Sequence, residues 1–109
     1  MVNIASIAGI NSPGSSMAYG ATKAGVISLT KNLARGLGPA VRVNAVAPGA
    51  VDSSWTVEWS NQERAMSIET AALKRRCTTD DIAEVVVFLL AGAGAVTGQT
   101  IVVDAGLSL

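Results

Sequence analysis

The sequence contains no histidine and a single cysteine, Cys77. The first absence removes histidine-based nucleophile triads and the imidazole ligands of most zinc sites. The second excludes an internal disulfide and fits a reducing compartment. With no histidine to activate it, Cys77 is expected to be a bystander rather than a nucleophile. Charge is scarce as well. Eight basic and eight acidic side chains cancel, and charged residues are only 15% of the chain. A neutral chain offers no electrostatic case for nucleic acid or an anionic membrane. So low a charge content implies surface that further protein covers. No long hydrophobic run is present: the longest, Ile82 to Ala91, is interrupted by Glu84 and too short to span a bilayer. Met1-Val2-Asn3 carries no basic segment of the kind that opens a signal peptide. The expected setting is the cytoplasm, and no metal site is expected.

What is present suffices for one domain. The chain has 109 residues, half of them hydrophobic, enough to build a core. Val2-Asn3-Ile4-Ala5 reads as a strand, and residues 7–16, rich in Gly, Ser, Pro and Asn, read as a loop. From Met17 to about Leu37 a helix is expected. Ala18, Ala21, Gly25, Leu29, Leu33 and Leu37 recur along it at helical spacing, and Gly38-Pro39 stops it. Val41 to Val46 reads as a second strand, ended by Pro48-Gly49. Residues 50–77 are polar, irregular and partly helical. Thr78 with Asp81 forms a capping box before a helix whose core face is Ile82, Val85, Val86, Leu89 and Leu90. Gly92 to Gly98 is a loop and Thr100 to Val103 a third strand. Strands separated by crossover helices form a parallel sheet. The expected fold class is α/β: a βαβαβ unit with three parallel strands, part of a doubly wound Rossmann-type fold.

The chemistry concentrates near the start. Tyr19 and Lys23 stand four residues apart, one turn along one helix face. An ammonium close to a phenol favours its ionised form, as a proton donor or acceptor near neutral pH requires. Ser6, at the end of the first strand, supplies a hydroxyl that could hold a substrate oxygen beside Tyr19. Trp55 and Trp59 either line an apolar substrate pocket or anchor their loop on the core. Arg75-Arg76 reads as a solvated turn, with a phosphate or acyl-carrier contact as the other reading.

Five motifs occur in order: Asn3-Ile4-Ala5-Ser6, Tyr19-x-x-x-Lys23, Val41-Arg42-Val43-Asn44, Pro48-Gly49-x-Val51-x-Ser53, and Thr97-Gly98-Gln99 followed by Val103-Asp104-Ala105-Gly106. Together they resemble the C-terminal half of a short-chain dehydrogenase/reductase, the 3-oxoacyl-[acyl-carrier-protein] reductases among them. The resemblance implies hydride transfer between NAD or NADP and a small carbonyl or alcohol substrate. It makes Tyr19 the acid/base and Ser6 the group that orients the substrate oxygen. Tyr19 and Lys23 would also bind the cofactor, Lys23 touching the nicotinamide ribose while it tunes Tyr19. Pro48, Gly49, Val51 and Ser53 would line the nicotinamide, Val51 through its main chain. Trp55 and Trp59 fall in what resembles the family's mobile substrate lid. Ala105 stands where glycine is common. A homo-oligomer is expected of the full-length form.

The resemblance also implies a departure. Family members open with a strand, a glycine-rich turn and a helix that meets the pyrophosphate, and no such segment occurs in these residues. Residues 1–109 are therefore expected to be the C-terminal half of one Rossmann-type domain, inactive by itself. The alternative reading is a non-catalytic half-subunit that assembles with a full-length relative.

Overall fold

The computed structural model describes residues 1–11 and 16–109, with every side chain among them except that of Trp55. The elements are β1 (Val2–Ile4), α1 (Ala8–Asn11), α2 (Met17–Leu37), β2 (Asn44–Pro48), β3 (Val51–Asp52), a 3-10 turn (Ser54–Thr56), α3 (Asn61–Thr70), β4 (Cys77–Thr78), α4 (Thr79–Ala91) and β5 (Thr100–Val103). The strands β1, β2 and β5 pair in parallel in the order β1-β2-β5, so the βαβαβ unit with three parallel strands is present. A second parallel pair, β3 with β4, was not expected. Two residues per strand are too few to leave a periodic signal.

The central strand begins later than the residue types suggest, at Asn44 rather than Val41. Pairing decides this. The register sets Val2 opposite Asn44 and Thr100 opposite Ala45, so residues 41–43 have no strand partner. They serve other ends. Arg42 donates to the carbonyls of Leu89, Gly92, Ala93 and Val96 at 2.9–3.2 Å, closing the C-terminus of α4. At its far end the strand runs on to Pro48, where β1 has already stopped and a missing N–H is tolerated. Val43 to Ala47 are at most 1% exposed. Asn44 is satisfied within that core: its amide nitrogen donates to Val96 O (2.9 Å) and its amide oxygen accepts from Gln99 N (3.0 Å). Left unpaired it would cost about 1–3 kcal/mol.

Helix α2 has the expected bounds. Ser16 caps it by accepting from Tyr19 N at 3.2 Å, and Gly38 closes it. Its inward face differs from the expected stripe. Val26 and Ile27 pack on Ala5, Ala45 and Ala47, and Thr30 and Ala34 are buried. Ala18, Ala21, Gly25, Leu29 and Leu37 are exposed, and only Leu33 is half-buried. The helix carries two apolar rows, and a three-stranded sheet covers one. Helix α4 shows the same limit: Leu89 is 2% exposed while Leu90, about 100° further round the helix, is 56% exposed. Its capping box forms as expected, with Thr78 Oγ1 accepting from Asp81 N at 3.1 Å and Asp81 accepting from Thr78 N at 2.7 Å. Within the expected loop 7–16, residues 8–11 form α1, a single turn started by Ser6; residues 12–15 lie outside the described residues.

Beyond β5, Ala105 has φ 56° and Gly106 φ 78°, both left-handed. A side chain in that region costs about 1–2 kcal/mol. The Ala105→Gly variant is therefore expected to gain about 0.5–1 kcal/mol after glycine's added entropy loss. Urea unfolding would read this as a raised midpoint at unchanged slope, and an unchanged or lowered midpoint would show the turn to be unstrained.

Candidate active site

The C-terminal ends of β1 and β2 build the floor of the site. Ala5 N donates to Val46 O (2.7 Å) and Ile7 N to Pro48 O (3.0 Å), which stitches Ser6 against β2 past the end of β1. Ser6 Oγ accepts from Ala8 N at 3.2 Å. A hydroxyl held as an acceptor in this way keeps its own proton to donate. α1 then lies hard against α2: a Cβ on Gly9 would stand 2.6 Å from Ala24 N. This close approach brings the Tyr19–Lys23 face to the cavity that Ser6 also borders. Lys23 Nζ donates to Ile4 O at 2.9 Å and lies 5.7 Å from the centre of the Tyr19 ring. Two of its three donors remain.

The segment after β2 supplies the opposite wall. Gly49 N donates to Val103 O at 3.0 Å, and a Cβ on Gly49 would fall 2.5 Å from Asp104 Cβ. Ala50 O accepts from Cys77 N at 3.2 Å, and a trans peptide then turns the Val51 N–H away from β4. Ser6, Tyr19, Lys23, Pro48, Gly49, Val51, Ser53 and Trp59 all border one cavity of about 1090 Å³. The structure thus gathers every candidate residue named from the sequence save Trp55, whose side chain lies outside those described. Trp59 both lines this cavity and packs its ring against the Arg76 guanidinium, 5.2 Å away.

The helix α3, whose bounds sequence reasoning missed, falls within the segment 50–77 expected to be partly helical, and it contributes Glu63, Met66, Ser67 and Thr70 to the cavity. The signal was there. Ser60 and Glu63 form a reciprocal capping box, with Ser60 Oγ accepting from Glu63 N (3.1 Å) and Glu63 accepting from Ser60 N (2.7 Å). Of Arg75-Arg76, expected as a solvated turn, Arg75 is half exposed and Arg76 is not solvated. Arg75 makes a two-pronged pair with Asp81 at 2.6 and 3.0 Å. That pair, with Thr78, holds the Asp81 carboxyl far below the usual carboxylate range. The Arg76 side chain is only 6% exposed, because the β3–β4 pairing tucks it beneath residues 51–59. Cys77 is buried, and burial pushes its thiol up, away from the reactive thiolate. Among the described residues, no group of three or more His, Cys, Asp or Glu could hold a metal, and no helix is long and apolar enough to cross a membrane.

Known proteins match this chain along nearly all of its length. The sequence model of a family described as enoyl-(acyl carrier protein) reductase matches residues 1–108. A short-chain dehydrogenase/reductase homolog, YusR of Bacillus subtilis (strain 168), is 41% identical over 111 residues, covering all of this chain and 83% of that protein. The crystal structure of a 3-oxoacyl-[acyl-carrier protein] reductase from Brucella melitensis ATCC 23457 superposes with a TM-score of 0.93 at 35% identity, covering 99% of this chain and 41% of that one. A 4-hydroxyisoleucine dehydrogenase complexed with NADH superposes with a TM-score of 0.92 at 31% identity, covering 98% of this chain and 46% of that one. The chain spans less than half the length of these solved structures and of the longer curated relatives it matches.

One wall of the cavity depends on a titrating group. The Asp104 carboxylate accepts from Gly106 N (2.8 Å) and Ser108 N (2.9 Å), folding Leu107 and Ser108 back over the cavity. Burial pushes the Asp104 carboxyl up, but hydrogen bonds from Ser108, Gly106 and Leu107 outweigh it and hold it below its ordinary 3.8. A carboxyl lowered on folding stabilises the fold above its unfolded value, and that contribution fades as pH falls through the folded one. Asp104→Asn is expected to lower the urea midpoint at about pH 7, and the gap to the parent should close below about pH 4. A gap independent of pH would show that the turn does not rest on the ionised carboxylate.

Proposed function

The chain belongs to the short-chain dehydrogenase/reductase family, and from that premise we propose that its residues form the nicotinamide and substrate end of an NAD(P)-dependent oxidoreductase site acting on a small carbonyl or alcohol. The observation that carries this reading is the convergence of Ser6, Tyr19 and Lys23 with the backbone of residues 48–53 on one cavity. The cavity is of the size that holds a ring system and a small substrate together. The residues present fit the cofactor's reactive end: a lysine with donors to spare and a Val51 N–H turned away from β4. A bound nicotinamide would supply or accept the hydride.

The chain's own residues handle the proton. In the reducing direction negative charge grows on the substrate oxygen, and a hydroxyl aimed at that oxygen must neutralise it. Tyr19 is the group placed to give that proton, and to take it back in the reverse direction. Ser6, its Oγ already accepting from Ala8 N, donates to the same oxygen and fixes its position. Lys23 places a positive charge beside the phenol and holds the ribose. Ser53 brings a hydroxyl to the nicotinamide side of the cavity. Met66 and Trp59 give the outer wall an apolar part among Glu63, Ser67 and Thr70, which suits an acyl or carbocyclic substrate body; a 3-oxoacyl thioester is the natural first trial.

A second reading rests on β1. Among the described residues its outer edge has no strand beside it, and Ile4 is 47% exposed. Such an edge can accept a strand from another chain, as a half-subunit joining a full-length relative would.

Titration of the folded chain with NADH and NADPH, followed by turnover of a 3-oxoacyl thioester, tests both. Whatever turnover the parent shows is expected to fall about 10²–10⁴-fold in Tyr19→Phe, with a far smaller change in cofactor Kd. A Tyr19→Phe chain as active as its parent would overturn the catalytic reading. A folded chain that binds neither cofactor but co-purifies with a full-length relative would support the second.

A further inference from the structure

Arg76 is the buried cation that the proposed chemistry does not use. Its side chain is 6% exposed, yet it does not border the cavity. Instead it reaches across residues 51–59. Nη2 donates to Thr56 Oγ1 at 2.6 Å and to Val51 O at 2.8 Å. Nη1 lies 3.4 Å from an Asp52 oxygen, and the guanidinium faces the Trp59 ring at 5.2 Å. We propose that Arg76 is a positioning residue that clamps this rim in the shape in which Val51, Ser53 and Trp59 border the cavity.

Burying a guanidinium is costly, and an apolar side chain would join β3 to β4 as well or better. The cost is visible here, since Arg76 Nε is buried and finds no acceptor among the described residues. What a guanidinium adds is a planar fork that meets two acceptors and an aromatic face together, which a lysine cannot do. Finally, the backbone of the same segment is held separately. Arg64 donates to Thr56 O (2.7 Å), Val57 O (2.9 Å) and Trp59 O (3.2 Å). Thr56 Oγ1 also donates to Val51 O (2.9 Å) and Ser53 O (3.1 Å), and Arg76 donates to that same hydroxyl and to Val51 O, so it ties this turn to the Trp59 ring.

The consequence for cofactor rests on the proposed function; the clamp itself does not. The chain has two tryptophans, so a Trp55→Phe background leaves Trp59 as the sole reporter. In it, Arg76→Met is expected to raise acrylamide quenching of Trp59, which is already 37% exposed, about twofold as the guanidinium leaves its ring. NADH Kd should rise about tenfold with the loss of a charged hydrogen-bond set. Arg76→Lys should fall between parent and Arg76→Met in both. Leu89→Ala, which removes a buried side chain far from the rim, should destabilise the fold and leave quenching unchanged. Parent-like quenching in Arg76→Met would overturn the clamp. If that variant does not fold, parent-like quenching in Arg76→Lys overturns it equally. Raised quenching at unchanged NADH affinity would overturn the positioning role, because the rim would move without consequence. A parent chain that binds no NADH counts against the proposed function alone, as quenching decides the clamp by itself.

Discussion

The parallel ladder along Asn44–Pro48 is the contact on which the rest of the molecule depends. On one side its register sets Ile4 opposite Val46, and the next bonds carry Ser6 and Ile7 up to Pro48. On the other it sets Pro48 opposite Val103, so Gly49 bonds Val103 O and meets Asp104. Both halves of the cavity floor are thereby fixed by one strand. A slip of one residue would reverse which side chains face α2 and would also separate Ser6 from Pro48.

That strand works only because its neighbours are small. Ala5, Ala45 and Ala47 give α2 a shallow bed for Val26 and Ile27. Larger side chains there would lift the helix and draw Lys23 from Ile4 O, a bond of 2.9 Å. The same economy of volume appears at Gly9, where any Cβ would collide with the backbone of Lys23 and Ala24. Site geometry here is a packing result first and an electrostatic one second.

Legibility in the sequence follows the range of the forces involved. Tyr19 and Lys23 could be paired because helical spacing is local, and Thr78 with Asp81 for the same reason. The bounds of α2 were readable from Gly38-Pro39. Its buried face was not, since two apolar rows compete and the width of the sheet chooses between them. The strand β2 was displaced because strand ends belong to partners far away in the chain. The fate of Arg76 was the least legible. Its acceptors at Val51, Asp52 and Thr56 lie 20 to 25 residues away, brought near by a two-residue strand pair. Two adjacent arginines in a polar segment look solvated until that pairing is known.

The same ladder explains why Lys23 belongs to the fold as well as to the site. Asn3 and Ala5 bond toward β2, so alternation turns the Ile4 carbonyl to the outer edge of β1. An edge carbonyl needs a donor, and Lys23 Nζ supplies it. The lysine placed beside the Tyr19 ring is thus also the group that satisfies the sheet edge. Truncating it would leave Ile4 O without that partner and loosen α2 from β1 beside the cavity that Ser6 and Tyr19 both border. A loss of activity in such a variant would combine a missing charge with a shifted phenol, whereas Tyr19→Phe leaves the edge bond in place and isolates the hydroxyl.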